Sequence, residues 1–226
     1  MVFCGGFKSD MTGTKASALA EACRAQGRAC VRFDYFGHGQ SSGDFAVGTI
    51  GRWAEDVIAV LDALTEGPQV IVGSSMGGWL MLLAALARPE RVCGLIGIAP
   101  AADFTEDLMW REMPAAVRDA LRRDGVWHRP SEYSDDPYPI TLRLIEEGRR
   151  HLLLDRPIPL RCPVRLLHGM KDADVPWAQS LKLVAALESR DVTLTLVKEG
   201  DHRLSAPDDL ARLLAAVGEL CDSPAP

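Results

Sequence analysis

A chain of 226 residues with 47% hydrophobic residues carries the apolar material for one large core, and 25% charged residues exclude a disordered chain. The net charge of −6, with Lys and Arg dispersed among the acids, excludes nucleic acid as a partner, because phosphate binding needs a basic stripe. No run of about eighteen apolar residues offers a membrane span.

The six cysteines, at positions 4, 23, 30, 93, 162 and 221, show neither CxxC nor zinc-ligand spacing and read as reduced thiols of a reducing compartment. The N-terminus carries no signal-peptide pattern, so the cytoplasm is the expected location.

In chain order, the pattern predicts a strand over 1–4 ended by Gly5-Gly6, then a helix over 14–26 with Ala16, Leu19, Ala20 and Cys23 at helical spacing. A strand over 29–33 leads into a Gly/Ser-rich loop. A helix over 50–64 puts Ile50, Trp53, Val57, Leu61 and Leu64 on one face. A strand over 70–72, a helix over 77–86 and a strand over 92–98 follow. Later, 164–167 and 192–197 read as strands separated by a helix over 178–187, and a last helix covers 208–220. Strands alternating with helices predict an α/β fold, a mostly parallel sheet with helices on both faces.

Residues 101–160 break this alternation with helical pieces over 105–113, 115–123 and 140–154 and no convincing strand. So long an excursion between core strands predicts an inserted helical cap within one domain spanning 1–226.

Gly73-Ser74-Ser75-Met76-Gly77 matches G-x-S-x-G between a strand and a helix, the context of a nucleophile elbow with Ser75 as nucleophile; a plain small-residue turn is the alternative. Among five histidines, His202 ends the last strand and is the candidate base. His168 reads as a buried turn residue, His38 as structural, and His128 and His151 belong to the cap. Asp172, leaving the penultimate strand, is the candidate acid, with Asp174 and Asp103 as rivals. The order Ser75, Asp172, His202 is that of α/β-hydrolases. The amides of Met76 and Phe7 are the candidate oxyanion donors.

In the cap, Phe104, Leu108, Met109, Trp110, Met113, Val126, Trp127 and Tyr133 are candidates to line an acyl pocket, with Trp110, Met113 and Trp127 singled out for substrate binding. Arg111, Arg118 and Arg129 are candidate partners for a substrate carboxylate. This chemistry calls for no metal and no cofactor.

Several stretches resemble one family: 8–15 (KSDMTGTK), 32–39 (RFDYFGHG), 73–80 (GSSMGGWL), 166–172 (LLHGMKD), and in the cap 125–133 (GVWHRPSEY), with DVPW at 174–177 and DHR at 201–203. They are similar to the α/β-hydrolase-domain enzymes known as acyl-glucuronide esterases and palmitoyl-protein thioesterases. The resemblance implies that fold and a Ser-His-Asp acyl-enzyme mechanism, with nucleophile, acid and base on Ser75, Asp172 and His202. The expected substrate is a small-molecule acyl ester or an acylated protein, handled by a monomer. A general carboxylesterase, or a hydrolase-fold binding protein without turnover, is the rival reading. In the family a β-hairpin precedes the strand that ends at Gly5-Gly6, whereas this chain begins inside that strand, so the hairpin is expected to be missing.

Overall fold

The β-branched run Val70-Ile71-Val72 lies at the centre of a parallel sheet. The computed structural model describes residues 1–130 and 137–222. Among these, the strands β1 (Val2–Cys4), β2 (Val31–Arg32), β3 (Gln69–Ser74), β4 (Val92–Ile98), β7 (Val164–Gly169) and β8 (Val192–Val197) form one sheet in the order β2-β1-β3-β4-β7-β8. All five pairings are parallel. β5 (Val126–Arg129) and β6 (Tyr138–Thr141) stand apart as an antiparallel pair.

The strand period of two divides the core. Val2, Cys4, Ile71, Leu95, Val164 and Leu166 face α2 (Ile50–Leu64), α3 (Met76–Ala87) and α6 (Ala178–Ala186). Phe3, Val70, Val72, Ile96, Ile98 and Leu167 face α1 (Thr14–Ala25) and α7 (Pro207–Asp222). Each fully buried aliphatic side chain stabilises the fold by roughly 1.5–3 kcal/mol. α2 is amphipathic: Ile50, Trp53, Val57 and Leu61 are buried as expected, Leu64 in its last turn is exposed instead, and Thr49 caps its start by accepting the Arg52 N–H. α3 is apolar on nearly every side because the sheet, α2 and the chain beyond β4 all cover it.

β2 is shorter than the expected 29–33. After Arg32 the chain leaves the sheet, and the Asp34 carboxylate accepts the N–H groups of Met11 and Gln40 instead.

The segment from 101 to 160 departs from the expectation of helices alone. It opens with a π-helical turn, Thr105–Trp110, then α4 (Ala115–Asp124), the β5–β6 hairpin and α5 (Leu142–Gly148). Val126-Trp127 and Tyr138, Ile140 and Thr141 are β-formers that pair in register, Val126 with Thr141 and Arg129 with Tyr138. Thr141 then accepts the Leu144 N–H and starts α5, so the helix expected from residue 140 begins after a strand. Asp103 ties the ends of the segment together: its buried carboxylate accepts the N–H groups of Leu153 and Leu154. Tyr133, a pocket candidate, lies outside the described residues.

Candidate active site

Ser75 joins β3 to α3 with a backbone φ of 53° and ψ of −120°, a strained conformation that costs a non-glycine residue about 1–3 kcal/mol. Its neighbours show why the turn needs glycine. A Cβ on Gly73 would meet the Gly77 carbonyl oxygen at 2.4 Å, and one on Gly77 would meet the Cys4 carbonyl oxygen at 2.1 Å. The elbow is locked to β4 and the chain beyond it: Ser75 N–H donates to Ile98 O (2.9 Å), and Ala101 N–H donates to Ser75 O (3.0 Å).

The loop after β8 brings His202 to this serine. His202 Nε2 lies 3.0 Å from Ser75 Oγ, and Nδ1 lies 2.8 Å from Asp172 Oδ2. An ionised carboxylate only accepts, so Nδ1 carries the proton and Nε2 is left to accept the serine hydroxyl. Burial pushes the Asp172 carboxyl up, but hydrogen bonds from His168 and His202 outweigh it and hold the group well below the usual carboxylate range.

Neither rival acid takes the place of Asp172 on His202 Nδ1. Asp174 gives its backbone N–H to Asp172 Oδ1. Asp103 is spent on Leu153 and Leu154, and its carboxyl is pushed up chiefly by burial. Asp172, Asp174 and His202 offer ligand atoms within 4.8 Å of one another; a cation there would compete with the Nδ1 proton for Asp172.

Met76 is the first residue of α3, where an N–H has no partner within the helix. Phe7 follows Gly5-Gly6 at the end of β1, and its ring packs among Phe45, Trp53, Phe104 and Tyr138 at centroid distances of 4.9, 5.9, 5.8 and 5.9 Å. Beside it, Lys8 has a φ of 54° and donates its N–H to His38 Nε2 at 3.1 Å. His38 Nδ1 faces Phe36 O at 3.2 Å, so that nitrogen bears the hydrogen and the ring is neutral. Burial lowers the His38 pKa in the same sense. His38 therefore holds the Phe7 loop from beneath, which gives content to its structural reading.

Ser75 and His202 open onto a cleft of about 500 Å³, a ligand-sized volume. Its apolar wall is Phe7, Phe104, Leu108, Met109, Tyr138 and Val175, and Lys8, Lys15, Arg129 and Arg203 bring cations to it. The three cap residues singled out for substrate binding are not on this wall. Trp110 lies under the guanidinium groups of Arg118, Arg122 and Arg149 at 5.7, 5.0 and 4.8 Å. Met113 is buried in the core and Trp127 packs against it.

The π-helical turn explains the difference. Arg111 N–H reaches back five residues to Glu106 O, and this wider winding brings Leu108 and Met109 to the cleft beside Phe104. Tyr138 reaches the cleft from β6, a strand that the sequence pattern does not announce. Of the three candidate arginines, Arg129 alone reaches the cleft; Arg111 pairs with Asp107 and Glu106, and Arg118 donates to Met113 O.

With this geometry in place, the chain can be set beside known proteins. Residues 1–136 match the family described as serine aminopeptidase, S33. The human palmitoyl-protein thioesterase ABHD10, mitochondrial, is 45% identical over 223 residues, which is 98% of this chain and 72% of the human protein. The chain belongs to the α/β-hydrolases of this S33 family. The solved structure of alpha/beta hydrolase domain-containing protein 10 from mouse superposes on this α/β-hydrolase with a TM-score of 0.91 at 45% identity, covering 98% of this chain and 88% of the mouse chain. A bacterial protein from Agrobacterium vitis S4 superposes with a TM-score of 0.94 at 43% identity, over 97% and 86% of the two chains. The expected fold class therefore holds, and this α/β-hydrolase is a serine hydrolase of the esterase and thioesterase kind. Among the described residues no helix is long and apolar enough to cross a membrane.

Proposed function

We propose that this α/β-hydrolase cleaves acyl thioesters of the S-palmitoyl-protein type, and related acyl esters, by two-step transfer through Ser75. His202 Nε2 takes the hydroxyl proton as Ser75 Oγ adds to the carbonyl, and Asp172 holds the imidazolium that forms. The amides of Met76 and Phe7 receive the oxyanion. The leaving thiol or alcohol collects the proton from His202, and water releases the fatty acid by the same route.

One observation carries this reading: an unbroken hydrogen-bond chain from Asp172 through His202 to Ser75 ends at the wall of an apolar, ligand-sized cleft. Leu108, Met109 and Phe104 suit a long acyl chain. The name of the human relative supports the choice of a palmitoyl thioester. A second reading, acyl-glucuronide hydrolysis, is favoured by Lys8 and Arg129 at the cleft, two cations with which a glucuronate carboxylate pairs.

The test is kcat/KM for one acyl chain presented as thioester, aryl ester and acyl glucuronide. Ser75→Ala is expected to lower kcat on the order of 10⁶-fold on whichever is preferred and to abolish labelling by a fluorophosphonate. A protein that takes no fluorophosphonate and turns over none of the three is a binding protein, and the proposal fails.

We further take the chain as one domain, with 101–160 as the cap over Ser75, acting as a monomer; light scattering on eluted protein tests the last point. The free thiols suit a reducing compartment. The relatives' mitochondrial names set that interior against the expected cytoplasm, and subcellular fractionation decides between them.

A further inference from the structure

The carboxylate of Asp172 has a second histidine on it. His168 closes the end of β7 with no exposed surface, and its Nε2 lies 3.2 Å from Asp172 Oδ2 and 2.9 Å from Val175 O. A carbonyl oxygen only accepts, so Nε2 bears a hydrogen, which it donates to Val175 O while its positive N–H edge lies beside Asp172 Oδ2. On the far side of the ring, Nδ1 lies 2.7 Å from the hydroxyl of Ser180 on α6, which is also fully buried. Carbonyl on one side and hydroxyl on the other fix the ring's orientation. A half-turn of the imidazole would set a carbon against each of them.

We propose that His168 is a positioning residue for the acid–base pair, holding Asp172 Oδ2 toward His202 and itself held by Ser180. The proposal rests on the assignment of Asp172 and His202 as acid and base. Five side chains then form one line, Ser180, His168, Asp172, His202 and Ser75, with successive separations of 2.7, 3.2, 2.8 and 3.0 Å.

The carboxylate is held on both oxygens. Oδ1 accepts the N–H groups of Asp174 and Val175 at 2.9 and 2.8 Å, and Oδ2 accepts from His202 with His168 Nε2 3.2 Å away on its other side. Removing His168 takes a positive N–H edge from Oδ2 in a place water does not reach, and Oδ2 shifts from the position that aims the imidazole at Ser75.

A shared carboxylate also pulls less on the His202 proton. Without His168 the whole charge of Oδ2 faces the imidazolium, which favours the protonated ring. The charged neighbours of the pair are Lys171 and Asp174 on the β7–α6 loop, Asp201 and Arg203 beside His202, and Lys15 of α1, whose amine donates to Arg203 O. None of them is altered by the variants below.

The experiment compares His168→Leu, which removes both ring nitrogens at similar volume, with His168→Gln, whose amide N–H can occupy the place of Nε2. With the best acyl thioester, His168→Leu is expected to lower kcat about 10- to 100-fold with KM little changed, and to move the acid limb of kcat/KM to higher pH. His168→Gln is expected to recover most of both, and Ser180→Ala to show the same changes more weakly. If His168→Leu fails to fold, Ser180→Ala still carries the test, since a core-filling role predicts no move of the acid limb there.

A second readout needs no turnover. The downfield proton resonance of His202 Nδ1–H is expected to move further downfield in His168→Leu or Ser180→Ala. A folded variant with kcat, acid limb and resonance all unchanged overturns the proposal. Wild-type turnover by Ser75→Ala would instead overturn the assignment of the nucleophile, and the proton resonance would still test the role of His168.

Discussion

Asp172 accepts the N–H groups of Asp174, Val175 and His202 and has the His168 N–H edge beside it, so neither oxygen has room for a substitute that donates. Asparagine has nearly the same shape but offers an N–H₂ where one carboxylate oxygen had accepted two bonds. If the amide turns that group to His202, Nδ1 must become an acceptor, and Nε2 then carries the hydrogen and cannot take the serine proton. Asp172→Asn is therefore expected to lower kcat about 10⁴-fold. Asp174→Asn stays within a few-fold, because Asp174 serves Asp172 through its backbone N–H. The pH dependence of stability separates the two further. The folded carboxyl of Asp172 lies well below its unfolded value, so its contribution is complete above about pH 4 and is lost as pH falls through the folded pKa. Melting temperatures from pH 2 to 5 are expected to fall less steeply with acid in Asp172→Asn than in wild type. A steep loss of activity in Asp174→Asn, with Asp172→Asn fully active, would exchange the two roles.

At the scale of elements, the β5–β6 hairpin matters because Tyr138 packs against the side chains of both Phe7 and Lys8. Its ring packs 5.9 Å from the Phe7 ring, and the Lys8 ammonium lies 5.4 Å from its centroid. The hairpin therefore steadies the loop that presents one proposed oxyanion donor, while Leu108 and Met109 of the π-helical turn line the cleft where the acyl chain is proposed to lie. Trp110, one residue further, faces away under three guanidinium groups and serves stability instead. Two variants divide these duties. Tyr138→Ala is expected to lower kcat about 3- to 10-fold for short and long acyl chains alike, as loosening of one oxyanion donor requires. Trp110→Ala is expected to leave kcat/KM within two-fold while lowering the melting temperature by several degrees through lost cation–π contacts and packing. Thioester kinetics over a series of chain lengths, beside thermal melts, checks both. A loss of long-chain selectivity in Trp110→Ala would put that ring back on the acyl wall.

Over the whole molecule, what the sequence makes legible is what local pattern encodes. Ile71 and Val72 announce a buried strand wherever the sheet puts them, and Ile50, Trp53, Val57 and Leu61 announce the buried face of α2. Gly73 and Gly77 announce the elbow because a Cβ at either would strike backbone. What stayed hidden depends on partners distant in sequence or on a change of winding. Tyr138 becomes a strand residue only by pairing with Arg129, the π-helical turn parts Leu108 and Met109, which the sequence does point to, from Trp110, which does not line the cleft, and His168 meets Asp172 only because the loop after β7 folds back. Lys15 belongs to this hidden class, and it links the stability of the fold to the site. It lies in the first turn of α1, where the helix dipole opposes a cation, and its amine donates to Arg203 O, one residue beyond His202. Burial lowers its pKa to about 8, with Asp201 raising it, Arg203 lowering it and Asp209 raising it in turn. Below pH 8 the folded protein holds this charge against the cost of taking it from water. Between pH 8 and the unfolded value near 10.4 the folded state sheds the proton and the unfolded state keeps it, so stability from this residue rises with pH across that window. Lys15→Met is thus expected to melt about 2–8 °C higher at pH 7 and to lack that alkaline rise. It also releases the loop that carries His202, so kcat is expected to fall several-fold with KM unchanged. A variant both less stable and fully active at pH 7 would mean that Lys15 earns its place by packing alone.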